Sequence, residues 1–170
     1  MRASLAKAVR QEFAKQLANQ LPQFRKTKNG AGYYVYQWMV GPKLCFFVGL
    51  QIDSEEDWFT VEVAWNNREE FPGLAFNQSP KEMPKTGGFR MRLGGLWNDT
   101  DMWWELAPGW TDEQWESLEL EHKMPKATPI AKAMKNVKPH VTDAIERLRK
   151  HALPYFVKIA KKYGYSRLTV

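Results

Sequence analysis

The sequence of 170 residues has one cysteine and lacks any uninterrupted apolar run of about twenty residues. Cys45 cannot form an internal disulfide, and an unpaired cysteine inside a predicted strand is typical of a small core residue in a protein of the reducing cytosol. The missing apolar run excludes a membrane-spanning helix, and the amphipathic first twenty residues do not form an export signal. We therefore expect a cytoplasmic protein without membrane contact.

The sequence also lacks a catalytic or metal-binding pattern. Its histidines are His122, His140 and His151, and no two of them stand at i, i+4 spacing around a glutamate. Asp99 and Asp101 bracket a turn, but they supply fewer oxygens than a calcium ion needs. We predict no catalytic residue, no metal site and no cofactor, and hence a protein that is not an enzyme. An enzyme that uses His140 or His151 with carboxylates from the sheet is the weaker alternative.

Acidic and basic residues are segregated along the chain, although the net charge is only +6. Residues 1–30 carry seven Lys/Arg against one acid, and residues 121–170 carry twelve against three. Residues 31–120 carry six against fifteen. Basic helices docked on an acidic sheet would produce this pattern, and this is the explanation we favour. A basic surface for an anionic partner would produce it as well.

Five strands are predicted. The first three lie within residues 33–65, where runs of β-branched and aromatic residues are separated by turn signals. Side chains of a strand alternate between two faces, so the residues at 44, 46, 48, 50 and 52 share one apolar face, as do those at 59, 61, 63 and 65. A long, proline-rich connection over 66–88 leads to strands at 89–93 and 102–106.

Helices are predicted towards both ends of the chain. The first helix has an apolar residue at every fourth position behind Ser4, which suits the N-cap: Leu5, Val9, Phe13 and Leu17. Later helices start after Pro129 and at Pro154, and Pro139 is expected to divide the first of these in two. A capping box at 111–114 predicts one more short helix. The result is a single α+β domain over 1–170, with a five-stranded, mostly antiparallel sheet packed against the N-terminal helix and the C-terminal helices.

Eight tryptophans are the most unusual feature of the composition. Neighbouring residues of a strand point to opposite faces, so Trp103 and Trp104 place one indole on each side of the sheet. If helices cover one side only, the other indole faces solvent or a partner; if they cover both sides, every ring belongs to the core. Exposed aromatic rings dominate protein interfaces. The candidate protein-binding residues are Tyr34, Tyr36, Trp38, Trp58, Trp103 and Trp104.

Basic side chains supply a second candidate surface. The fourth strand has arginines on one face, and the C-terminal helices carry clusters of arginine and lysine. Such clusters attract the phosphates of nucleic acids. The candidate anion-binding or nucleic-acid-binding residues are Arg90, Arg92, Arg147, Arg149, Lys150, Lys158, Lys161 and Lys162.

Several motifs follow one another in a recognisable order. They are a leading helix, the aromatic strand start Tyr33-Tyr34, Arg92-Leu93-Gly94-Gly95-Leu96, Asp101-Met102-Trp103-Trp104 and Leu153-Pro154-Tyr155-Phe156. This order is similar to that of a family of small bacterial α+β domains of unknown function, and it touches most of the chain. The resemblance implies an accessory or immunity role in bacteria or their mobile elements, and it brings no catalytic residue with it.

The expected function is therefore stoichiometric binding without catalysis. We expect a cytosolic bacterial or mobile-element protein that contacts another protein as an immunity or inhibitor-like accessory factor. Binding of nucleic acid by the basic C-terminal helices is the alternative. Neither hypothesis involves a cofactor.

Overall fold

Helices lie on one face of an open antiparallel sheet, so the fold has the α+β class that the sequence predicts. The computed structural model describes residues 3–27, 33–53, 57–68, 88–98, 101–106, 129–166 and 168. The helices are α1 (Ala3–Gln20), α2 (Ile130–Arg147) and α3 (Leu153–Lys162). The strands are β1 (Arg25–Lys26), β2 (Tyr33–Met39), β3 (Leu44–Ile52), β4 (Trp58–Asn67), β5 (Gly88–Arg92) and β6 (Trp104–Glu105).

Strand order follows the chain from β1 to β5, and β6 returns to pair with β4. β4 is the central strand: β3 lines one of its edges, while β5 pairs with residues 62–66 and β6 with residues 58–59 along the other. All five predicted strands are present. The structure adds β1, whose two residues are too few to show a period in the sequence.

The predicted alternation sets the register of the core. Of the nine residues of β3 and β4 that the sequence assigns to one face, Ile52 is half-buried and the other eight are buried: Leu44, Phe46, Val48, Leu50, Phe59, Val61, Val63 and Trp65. The helices cover them with apolar stripes that are also buried: Leu5, Val9, Phe13 and Leu17 of α1, and Val137, Val141 and Ile145 of α2. Full burial of each such side chain contributes about 1.5–3 kcal/mol, so this face is the main source of stability.

Aromatic rings attach α3 to the sheet. Phe156 is fully buried and stacks on Phe46, with ring centroids 4.4 Å apart, and it contacts Phe24 at 6.1 Å. Trp38 of β2 lies 5.6 Å from Phe24 and 5.5 Å from Phe46. One ring of α3 is thereby fixed between the segment that follows α1 and the sheet.

The prediction that Pro139 divides the second helix is wrong. α2 begins directly after Pro129, as expected, and then continues through Pro139, whose ring is exposed on the outer side. A proline inside a helix removes one hydrogen bond and costs about 3 kcal/mol. Val137 and Val141 are fully buried on either side of it. The burial of this stripe outweighs the cost of the proline, and the helix stays whole.

One turn of π-helix, Leu148–Ala152, joins α2 to α3. Pro154 explains its position, because a proline has no N–H to donate to the carbonyl of Lys150 four residues earlier and its ring crowds that carbonyl. The N–H of Leu153 bonds instead to the carbonyl of Leu148, five residues back. The backbone remains helical at both joints, so residues 130–162 form one continuous rod.

The ends of the helices agree with the prediction at the C-terminus and disagree at the N-terminus. Gly164 ends α3 with a φ of 84°, a left-handed conformation that glycine adopts without strain. Ser4 lies inside α1 rather than before it. Its buried hydroxyl oxygen has no hydrogen-bond partner among the residues described, so Ser4 is not the N-cap.

Some predicted features fall outside the described residues. They are most of the connection over 66–88, the capping box at 111–114 with its helix, and Trp110, Trp115 and His122. Within the described part of the chain, no helix combines the length and apolarity needed to cross a bilayer.

The stacked ring of Phe156 gives a first testable prediction. Phe156→Ala should lower the free energy of unfolding by about 3–5 kcal/mol, because it removes a fully buried ring and leaves a cavity against Phe46. Urea denaturation followed by far-UV circular dichroism measures this loss. Lys158→Ala, two residues away and exposed, is the matched control and should change stability by less than about 0.5 kcal/mol. Equal losses in the two variants would contradict this account of the core.

Two buried, weakly acidic side chains, the thiol of Cys45 and the phenol of Tyr36, should make the protein less stable at high pH. Burial raises the pKa of the Cys45 thiol to about 12, and burial also raises the pKa of the Tyr36 phenol to about 12. Both groups ionise at lower pH in the unfolded chain, so their stabilising effect is complete below about pH 8.5 and is lost as the pH rises towards 12. Urea titrations between pH 8 and 11 measure the decline. Tyr36→Phe with Cys45→Ala should flatten it, and an unchanged slope would show that other groups are responsible.

Candidate functional site

Three of the aromatic residues that the sequence proposes for a partner lie on the helix-covered face. Tyr34, Tyr36 and Trp38 alternate along β2 on that side. Tyr36 is 5% exposed, and its ring lies 5.8 Å from that of Phe13. Tyr34 and Trp38 are half-buried against the same core, and the hydroxyl of Tyr34 accepts a 2.7 Å hydrogen bond from Arg10. Because helices cover this face, these three rings pack within the molecule. They are therefore no longer candidates for the protein-binding surface.

Trp104 is also a core residue. It is 5% exposed, and its ring stacks on Phe59 at 5.2 Å. Its Nε1–H donates a 2.8 Å hydrogen bond to Oδ2 of Asp143, and Nε of Arg147 donates a 2.7 Å bond to the same oxygen. One carboxylate of α2 therefore connects the buried indole of β6 with the guanidinium of Arg147.

The π-helical turn brings His151 onto Trp97, which sequence patterns do not indicate. The two rings stack with centroids 4.3 Å apart, and the guanidinium of Arg147 lies 5.5 Å from the Trp97 centroid. Burial, followed by the charges of Lys150 and Arg147, lowers the pKa of His151, which favours the neutral imidazole in its stack on Trp97. The His151 imidazole and the Arg147 guanidinium both pack on the Trp97 ring, and these contacts hold the helical rod against Trp97.

The opposite face of the sheet carries an exposed aromatic cluster. Trp58 is 37% exposed and precedes the buried Phe59, so its ring points away from the helices. The half-buried ring of Trp103 lies 6.4 Å from that of Trp58. The guanidinium of Arg92 lies 4.6 Å from the centroid of Trp103 and forms an ion pair with Asp101. We call these residues, together with Glu105, the tryptophan patch.

Two members of the tryptophan patch are acidic. Asp101 has a side chain that is 63% exposed, against 27% for its partner Arg92. Glu105 is exposed and lies directly opposite Trp58 in the β4–β6 ladder. Two carboxylates and one guanidinium leave the patch with a net negative charge. The patch thus combines apolar rings with a negative rim, and the sequence finds Trp58 and Trp103 but not the contact that brings them together.

Further along this face of β4, Thr60 and Glu62 are polar but buried, while Ala64 packs with Val35 and Phe47 in a small apolar cluster. Glu62 accepts two hydrogen bonds from Arg90, at 2.9 Å from Nε and 2.6 Å from Nη2, and the two side chains are 9% and 8% exposed. Thr60 is fully buried and donates a 2.5 Å hydrogen bond to the carbonyl of Met102. Arg90 is therefore committed to an internal ion pair, and its charge is compensated inside the protein.

The eight candidate cations fall into two groups. Arg90, Arg92 and Arg147 are each paired with a carboxylate, that of Glu62, Asp101 and Asp143 respectively. The others are exposed, and none of them has an ion-pair partner among the residues described: Arg149, Lys150, Lys158, Lys161 and Lys162. We call these five the cationic face. All five lie on the C-terminal part of the continuous rod, in the π-helical turn and α3.

A shallow groove of about 1060 Å³ adjoins the cationic face. Its floor is apolar and includes Leu21 from the end of α1 and Leu153 from α3. Arg149 and Lys150 lie on its rim, and Nη1 of Arg149 is 3.4 Å from Oε1 of Gln20 across it. Within the described residues, no group of three or more His, Cys, Asp or Glu side chains is placed to bind a metal ion.

Comparison of the chain with protein-family models, with curated proteins and with solved structures finds no match. The fold class and the two surfaces are therefore the basis for assigning a function. The resemblance to small bacterial domains stays a prediction.

The bond between Trp104 and Asp143 is open to a direct test. Asp143→Ala leaves the buried indole N–H without its acceptor and should destabilise the fold by about 1–3 kcal/mol. Trp104→Phe, which keeps a ring but removes the N–H, completes a double-mutant cycle measured by urea denaturation. We expect a coupling energy of about 1 kcal/mol between the two sites. Additive effects would show that the hydrogen bond contributes nothing measurable.

Proposed function

We propose that this chain is a non-catalytic binding protein that acts by stoichiometric contact with another protein, and that the tryptophan patch is its contact surface. The observation that supports this most directly is the exposure of Trp58 beside Trp103 and Arg92. Tryptophan and arginine are the residues most enriched at the energetic centres of protein interfaces.

The geometry of the patch favours binding. Arg92 is held by Trp103 on one side and by Asp101 on the other, so its guanidinium is ordered before a partner arrives. Large indole rings on paired strands lose little conformational freedom when a partner covers them. Trp58 is 37% exposed and lies beside the half-buried ring of Trp103, so a partner that covers the patch would bury further aromatic surface.

The charge of the patch indicates the chemistry of the partner. Asp101 and Glu105 outnumber Arg92, so the surface attracts a partner that presents lysine or arginine around an apolar centre. The same carboxylates repel phosphates, which argues against nucleic acid as the ligand at this position. A basic protein surface is the occupant to which the proposal commits.

The biological setting belongs to the same proposal. Stoichiometric capture of a basic partner is the action of an immunity or inhibitor-like accessory factor, which is also the role that the resemblance to small bacterial domains implies. A single buried cysteine without an internal partner is in keeping with a reducing cytosol.

The proposal predicts that Trp58 is an energetic centre of the complex. Partner proteins are captured from the source cells on the immobilised chain, purified and titrated by calorimetry. Trp58→Ala should raise the dissociation constant at least about 30-fold, the equivalent of 2 kcal/mol, because it removes an aromatic anchor. Glu105→Lys should weaken binding of the same partner by reversing one rim charge.

Ile130→Ala is the matched control, since Ile130 is 42% exposed on α2, a helix that covers the other face of the sheet from the patch. It should bind like the unchanged chain, and all three variants should retain the fold by circular dichroism. The proposal fails if Trp58→Ala and Ile130→Ala bind equally well, or if no partner binds at one-to-one stoichiometry.

A further inference from the structure

Basic residues are concentrated at the C-terminal end of the chain without any acid among them. Residues 147–170 contain seven Lys/Arg and no Asp or Glu. Segregation of this degree gives a local positive potential that the net charge of +6 for the whole chain does not reveal. What matters is which of these cations remain available on the surface.

The structure distinguishes the basic side chains that are exposed to solvent from Arg147, which is bound to other residues of the protein. Arg147 turns inward to Asp143 and Trp97, so its charge is used within the fold. The five residues of the cationic face are exposed, and only Arg149 makes a side-chain contact, at 3.4 Å to the neutral amide of Gln20. None of the five therefore has an ion-pair partner among the described acids, although Glu146 lines the same groove as Arg149 and Lys150.

The spacing of these cations produces a compact strip. Lys158, Lys161 and Lys162 stand at i, i+3 and i+4, which places them on one side of α3. The rod rises about 1.5 Å per residue, so Lys150 and Lys162 lie about 18 Å apart along it. A nucleic-acid duplex presents about ten phosphate charges over that length. Lys161 and Lys162 also complement the negative end of the α3 dipole, but this accounts for two of the five residues only.

The chemistry of the strip selects among anionic partners. Its described residues include no exposed aromatic ring on which single-stranded bases could stack. Flexible lysines aimed at solvent suit phosphates, which they contact as point charges.

We infer that the cationic face binds double-stranded nucleic acid through its phosphate backbone and without sequence preference. This goes beyond the proposed function and uses different residues. The tryptophan patch lies on the face of the sheet turned away from the helices, whereas the cationic face lies on the helical side. The two sites can therefore be tested one at a time.

The test uses the full chain and a fluorescein-labelled 20-base-pair DNA duplex of mixed sequence, with an RNA duplex as a second arm. Fluorescence anisotropy gives the dissociation constant between 50 and 200 mM NaCl. Five phosphate contacts predict a loss of affinity of about 500-fold over this range, and two fewer contacts predict about 40-fold. The double variant Lys158→Gln, Lys161→Gln should move the salt dependence from the first value towards the second.

The matched control is Lys7→Gln, Lys15→Gln, which removes the same two charges from exposed positions on α1. It should retain the salt dependence of the unchanged chain. The inference is overturned if both double variants weaken binding equally, since net charge would then explain it, or if affinity is independent of salt. It is also overturned if the duplex fails to bind at 50 mM NaCl while an acidic polypeptide, poly-glutamate, binds.

Trp58→Ala separates this inference from the proposed function. The variant should bind the duplex like the unchanged chain, because Trp58 is not part of the cationic face. Loss of the protein partner with duplex binding intact would leave both conclusions standing. Loss of duplex binding in Trp58→Ala would place the nucleic acid on the patch instead and overturn the inference.

Discussion

The one-sided apolar face of the sheet is the constraint on which the rest of the structure depends. Phe46 and Val63 on the helix side are fully buried, and α1 and the rod of residues 130–162 lie where they do because they cover this face. Once the helices are committed to one side, every strand residue of the opposite parity must find another environment. Along the middle of β4 that environment is polar and enclosed, as the pair of Glu62 and Arg90 shows. At the start of β4, beside β6, Trp58 reaches the surface.

The distribution of charge also depends on the helices lying on one face of the sheet. It differs from what charge complementarity between basic helices and an acidic sheet predicts. Basic helices docked on an acidic sheet should form ion pairs between the two layers. The ion pairs described above are instead local, joining β5 to β4, Arg92 to Asp101, and Asp143 to Arg147 within α2. The sheet edge presents carboxylates beside its indoles, and the rod presents lysines. Two surfaces of opposite sign result, and each attracts a different class of partner.

Sequence patterns predict those parts of the fold that depend on local periodicity. The alternation in β3 and β4 and the stripe Val141, Ile145 and Leu148 are sufficient, because burial repeats with the period of the element itself. Pro139 shows the limit of local rules, since burial on both sides of it decides the outcome. Whether Tyr36 and Trp104 are buried or exposed depends on which face of the sheet the helices cover. The periodicity of the sequence does not indicate that face. Arg147 pairs with Asp143 four residues before it, whereas Arg149 and Lys150 have Glu146 three and four residues before them and form no ion pair among the described residues, so spacing alone does not decide the pairing.

The contact between Trp58 and Trp103 was beyond prediction for a different reason. It requires β6 to return to the start of β4, although about forty residues separate the two strands, and the register of such a distant pair is set by packing rather than by sequence spacing. The return has a consequence for how the two surfaces relate. β6 carries Trp104 inward to Asp143 of the rod and Trp103 outward to the patch, so neighbouring residues connect the two sides of the sheet. Trp104 is stacked on Phe59 and hydrogen-bonded to Asp143, so the strand that presents Trp103 to the patch is attached to the rod by contacts on its other side.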